Sequence, residues 1–147
     1  MLRYVDGRNT DDIDLVLSAE SLARVPEIAI ADTNANFAAG TFRSLRVDVR
    51  FASNPFFRRV MDSRMVMHPF AEMEVPCATV EGLVKLKLYA LPALYEQRRL
   101  QHAALYEADI TMLAQAHGVK LGPVLERLQG DVSAGQFEEL RKICFGD

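Results

Sequence analysis

The hydrophobic period changes along the chain. Apolar residues that recur first every second position and later every third or fourth cannot all sit on one kind of element. Early on, Ile13, Leu15 and Leu17 alternate with polar neighbours, and Phe42, Leu45, Val47, Val49 and Phe51 largely alternate across Thr41 to Ala52. Both segments read as strands, the second as a single strand with Ser44 as its one point of interruption. Leu2, Tyr4 and Val5 suggest a short strand ahead of a turn at Gly7 to Thr10, and Ile28 to Ala31 a further strand. Ala19 to Arg24 reads as a short helix stopped at Val25-Pro26, because the residue before proline avoids the α region. Asn54-Pro55 suits a helix start, with the asparagine as cap and proline in the first turn, and the helix should run to about Met65. Met65, Met67, His68 and Pro69 then mark a loop or edge strand.

From Thr79 the pattern is helical, with Thr79 as cap and Glu81 near the positive end of the helix dipole. Leu83, Val84, Lys87, Leu91 and Leu94 fall on one face of a first long helix, and Leu105, Asp109, Met112, Leu113 and Ala116 on one face of a second. Each stripe contains one charge. Burying either alone costs several kcal/mol, so Lys87 and Asp109 are expected to pair. Val119 to Leu128 supplies a shorter helix, and Ser133 and Gln136 have capping-box spacing ahead of Phe137, Leu140 and Cys144. The expectation is an α+β fold in one domain over 1–147, with an α/β core of mixed sheet in 1–75 and a helical half, 76–147, packed on it as one wall of a cleft.

Composition narrows the function classes. The formal charge of −3, from 17 basic and 20 acidic residues, gives no global field favouring nucleic acid or an anionic membrane. No apolar stretch approaches the roughly 20 residues that span a bilayer, and the N-terminal residues do not read as a signal peptide, so no membrane association and a cytoplasmic location are expected. Cys77 and Cys144 lack partners at metal-ligand spacing and read as reduced thiols, and His68, His102 and His117 give no zinc pattern. Neither a P-loop nor a nucleophile elbow is present. The basic sets Arg58, Arg59, Arg64 and Arg98, Arg99, His102 read as solvated surface.

An acidic constellation remains. Asp12 and Asp14, two apart on a strand, point to one face, while Asp11 points away. Neighbouring carboxylates repel unless they hold a cation or protons, and their hard oxygens suit Mg²⁺. Asp-x-Asp alone is common in ordinary turns; a third acid raises its significance. Asp48 is the lone acid between Val47 and Val49, and it can face the first two if its strand lies beside the Ile13 strand. Three carboxylates around one or two divalent ions is the arrangement used in phosphoryl transfer.

In the segments Arg8-x-Thr10-x-Asp12-Ile13-Asp14-Leu15, Val47-Asp48-Val49, Val80-Glu81 through Lys87 to Ala90, and Tyr106-Glu-Ala-Asp109-Ile, the chain resembles the nucleotidyltransferase superfamily, and within it the abortive-infection toxins of AbiEii type. The resemblance covers most of the chain. It implies Asp12, Asp14 and Asp48 as Mg²⁺ ligands and catalytic carboxylates, Arg8 and Thr10 as supports of the acidic turn, and Lys87 with Asp109 as a pair beside the substrate cleft. The implied activity is Mg²⁺-dependent transfer of a nucleoside monophosphate from an NTP to a hydroxyl of a protein or RNA acceptor. One feature of the family is missing: a Gly-Gly or Gly-Ser motif with a helix upstream of the acids, where backbone amides cradle the triphosphate. Only seven residues precede Arg8, and Gly7 has no following helix. This departure implies either a natural protein that is longer upstream or a reduced relative with impaired nucleotide binding. The alternative function is a catalytically degenerate fold acting by association, as half of a toxin-antitoxin pair with an antitoxin partner, or as a homodimer through an open edge.

Overall fold

The computed structural model describes residues 12–146, so the strand and turn expected over residues 2–10, with Arg8, Thr10 and Asp11, lie outside the described residues. The fold is α+β, with a mixed four-stranded sheet, a separate two-stranded sheet and a helical C-terminal half. The described residues fall into two compact units, 12–65 and 66–146.

The first unit opens with β1 (Asp12–Leu17) and a short helix α1 (Ala19–Ala23), whose cap Ser18 accepts from the Ser21 amide. The strands β2 (Ala29–Thr33), β3 (Phe37–Phe42) and β4 (Leu45–Phe51) follow, then helix α2 (Pro55–Ser63). The strand order is β1-β4-β3-β2, in which β2, β3 and β4 form an antiparallel meander and β1 lies parallel to β4. Asn54 caps α2 by accepting from the Phe56 amide, with Pro55 in the first turn, and Phe56, Phe57 and Val60 are buried. Ala38, Val47, Val49 and Phe51 form the core of the sheet, with Leu15, Leu17, Leu22, Ile28 and Phe42 packed on it.

The segment expected as one strand over Thr41 to Ala52 is two. The chain reverses at Arg43-Ser44, with Phe42 opposite Leu45, and β3 extends back to Phe37. The break falls at the point of interruption expected near Ser44, but Arg43 takes φ 56°, a conformation normally supplied by Gly, Asn or Asp, so the sequence does not mark it as a tight reversal. At the outer edge, β2 approaches β3 so closely that a Cβ on Gly40 would lie 2.4 Å from the Ala29 carbonyl oxygen. A bulge between Ile30 and Asp32 interrupts this edge pairing.

The hairpin of β5 (Met65–Phe70) and β6 (Met73–Ala78) follows; β5 covers the segment expected as a loop or edge strand, and β6 was not expected. The turn of the hairpin again uses a residue with an uncharacteristic side chain, Ala71 at φ 52°. Four helices follow: α3 (Val80–Glu96), α4 (Leu100–His117), α5 (Leu121–Glu126) and α6 (Ala134–Phe145). Thr79 caps α3 and Gly118, at φ 65°, ends α4. Ser133 and Gln136 form the expected capping box at α6. Helix α3 is central, packing on α4, α5 and α6 and burying Val84, Leu88, Leu91 and Leu94. The packed face of α4 differs from expectation: Ala103, Asp109, Ile110 and Leu113 are buried, whereas Leu105 and Ala116 are exposed. No helix among the described residues is long and apolar enough to cross a membrane.

Candidate acidic site

The parallel pairing of β1 with β4 sets Asp14 directly opposite Asp48, Asp12 opposite Arg46 and Val16 opposite Arg50. Side chains alternate across a strand and register partners share a face, so Asp12, Asp14, Asp48, Arg46 and Arg50 all project from one side of the sheet. On the other side, Leu15 opposes Val49 and Leu17 opposes Phe51, within or against the sheet core. That apolar face pins the register, since a slip of one residue would exchange the carboxylates with the core residues. The three acids singled out from the sequence are therefore brought onto one face, with Asp14 and Asp48 in adjacent strands about 4.8 Å apart.

Two arginines share that face, and they are the functional candidates that sequence reading missed. Arg46 Nε donates to Asp48 Oδ1 at 3.0 Å along β4. Arg50 Nη1 donates to Asp14 Oδ1 at 2.5 Å, diagonally across to β1. The hydrogen bond to Asp48 and then its charge raise the Arg46 pKa above its usual value, with smaller contributions from Asp12 and Asp14. The field of all three carboxylates thus converges on this guanidinium. The signal was present in Leu45-Arg-Val-Asp-Val-Arg-Phe51, whose alternation assigns Arg46, Asp48 and Arg50 to one face as firmly as it assigns Val47 and Val49 to the other. Asp32 joins the same face by register, opposite Ala39, which in turn opposes Asp48.

The donors have the hard oxygen chemistry of a Mg²⁺ site, and the register supplies carboxylates from two adjacent strands. Among the described residues, however, no three His, Cys, Asp or Glu side chains converge as a metal-holding group. A dication would have to draw Asp14 and Asp48 away from Arg50 and Arg46. Their exposures differ: the Asp14 side chain is 54% exposed and the Asp48 side chain 14%, so the former can reorient more easily than the latter.

Lys87 and Asp109 belong to the helical unit, where they pair with each other as the two charged stripes required. Lys87 Nζ lies 2.9 Å from Asp109 Oδ2, with side chains 12% and 2% exposed, and 4.1 Å from the centroid of the Tyr106 ring. A second pair on α3, Lys85 with Asp131 at 3.6 Å, was not anticipated. The same unit has a cavity of about 300 Å³ lined by Glu81, His117, Lys120 and Arg127 among others, with Arg127 hydrogen-bonded to Glu81. Its lining mixes one acid with several bases in no arrangement that specifies a ligand. No protein-family model matches the chain, and no curated protein matches it.

Proposed function

We propose that this chain is a nucleotidyltransferase-like protein of AbiEii type, which transfers a nucleoside monophosphate from an NTP to a hydroxyl of a protein or RNA acceptor at the face of β1 and β4. The observation that carries this reading is the register that opposes Asp14 to Asp48 with Asp12 on the same face. Asp12, Asp14 and Asp48 would hold Mg²⁺. When bound, such an ion supplies charge neutralisation on the triphosphate and activation of the attacking hydroxyl. The Asp48 carboxylate accepts the hydroxyl proton as the new oxygen–phosphorus bond forms at the α-phosphorus and the bond to the leaving pyrophosphate breaks. The resemblance adds Arg8 and Thr10 as supports of the acidic turn.

A second reading is favoured by the arginines. A face on which Arg46 holds Asp48 and Arg50 holds Asp14 is partly self-neutralised, and such a face can serve association rather than catalysis. On this reading the fold is a degenerate nucleotidyltransferase that acts as a binding partner, as half of a toxin-antitoxin pair or as a homodimer.

Isothermal titration of the purified chain with each NTP, with and without Mg²⁺, separates the two. The catalytic reading expects metal-dependent binding of at least one NTP that is lost in Asp12→Asn/Asp14→Asn. Absence of binding by a folded chain contradicts it and leaves the association reading.

A further inference from the structure

Phe70, Met73 and Leu100 are the most exposed large hydrophobic side chains among the described residues, at 70%, 64% and 61%. A single exposed apolar residue is ordinary in a folded protein, but an apolar spot set among uncompensated charges of one sign is the composition of an interface. Phe70 ends β5 and Met73 begins β6, so the two meet across the turn at the hairpin tip, where the exposed Glu72 and Glu74 flank Met73. Leu100 begins α4 directly after the exposed Arg98 and Arg99, in the corner between α3 and α4. None of these four charges is paired with another described residue. The helical unit thus carries an acidic apolar tip and a basic apolar corner, with two charges on each and opposite signs.

The two patches belong to opposite ends of one helix. β6 runs through Ala78-Thr79 into the N-terminal end of α3 and touches that helix only sparsely, whereas Arg98 and Arg99 follow its C-terminal end. The 17 residues of α3 span about 25 Å, and the tip and the corner do not meet within one chain. We propose that this chain pairs with a second copy of itself through these patches, the hairpin tip of each copy docking on the α3–α4 corner of the other. A two-fold axis across α3 sets the two α3 helices antiparallel and brings a tip to a corner at both ends, so one kind of contact occurs twice and the assembly closes as a dimer. In each contact Phe70 and Met73 pack on Leu100 while Glu72 and Glu74 face Arg98 and Arg99. The charges select this arrangement, because tip on tip or corner on corner would juxtapose like charges. No residue of the acidic face of β1 and β4 takes part, so the dimer is independent of both readings of that face.

Sedimentation equilibrium of the full chain tests the pairing. The wild-type chain should show a concentration-dependent equilibrium between monomer and dimer that added salt weakens. Glu72→Arg/Glu74→Arg sets like charges against each other in both contacts, as does Arg98→Glu/Arg99→Glu, and each should weaken self-association at least about tenfold. An equimolar mixture of the two variants should dimerise again, because a mixed pair has opposite charges at both contacts. All four positions are exposed, so both variants should keep the wild-type circular dichroism. Should either fail to fold, the milder Glu72→Gln/Glu74→Gln should still weaken the dimer in part. A wild-type chain that stays monomeric up to about 100 µM overturns the proposal, as does self-association that neither charge swap weakens. Loss of the dimer in both variants without recovery on mixing overturns it too, because the two patches would then not face each other. Growth of the wild-type assembly beyond a dimer overturns the two-fold pairing.

Discussion

Lys87 carries a positive charge into the helical unit, and its worth depends on Asp109 remaining opposite it. With Asp109 only 2% exposed and 2.9 Å from the ammonium, removal of either partner leaves a charge stranded in a low-dielectric setting. Lys87→Met or Asp109→Leu should each cost about 3–5 kcal/mol, whereas the double substitution should cost markedly less, as for buried pairs in general. Urea denaturation of the four proteins in the cycle checks this, and additive losses would contradict it. This pair was legible in the sequence because each charge interrupts an otherwise apolar stripe. By contrast, Tyr95 offered no such signal. Its hydroxyl donates to Glu107, which, with burial and the charge of Glu107 behind it, pushes the phenol pKa from 10.0 up to about 12. A folded-state pKa raised above the unfolded value favours the neutral phenol, so this contribution to stability is complete below pH 10.0 and is lost as pH rises through about 12. Phenolate absorbance should therefore show a late-ionising step, and Tyr95→Phe should remove it.

Among the elements, those with conventional caps could be read and those with unconventional turns could not. Asn54-Pro55, Thr79 and the Ser133/Gln136 box each place a side-chain oxygen where the first free amides of a helix need an acceptor, so α2, α3 and α6 began where expected. The two hairpins turn at Arg43 and Ala71, both at positive φ and neither chosen for it, which hid the β3–β4 reversal and much of β5–β6. Ala71→Gly relieves that conformation and should stabilise the chain by up to about 1 kcal/mol despite the larger entropy of the unfolded glycine. Gly40→Ala should act in the opposite direction. Its Cβ would meet the backbone oxygen of Ala29 at 2.4 Å, which only a displacement of β2 can relieve, at a cost of about 1–3 kcal/mol. Thermal denaturation of the two variants should move the midpoint up for Ala71→Gly and down for Gly40→Ala. The face of α4 was misplaced for a subtler reason: two overlapping stripes share Asp109 and Leu113, and periodicity alone does not say which one packs.

For the molecule as a whole, the acidic site was legible as far as strand alternation could carry it. The two-residue spacing of Asp12 and Asp14 fixed their common face, but only the parallel pairing of β1 with β4 sets Asp48 opposite Asp14, because a spacing within one strand says nothing about its neighbour. The same pairing revealed Arg50 reaching across to Asp14, a contact with a sequence separation of 36. The central claim is that this face is where a divalent cation binds. Paramagnetic broadening by substoichiometric Mn²⁺ in the amide spectrum, with triphosphate present, tests it most directly. The account predicts that amides of Asp12 to Asp14 and Arg46 to Arg50 broaden first and that Asp14→Asn/Asp48→Asn abolishes the effect. Broadening confined to other acidic residues, or unaltered by that double substitution, would contradict it.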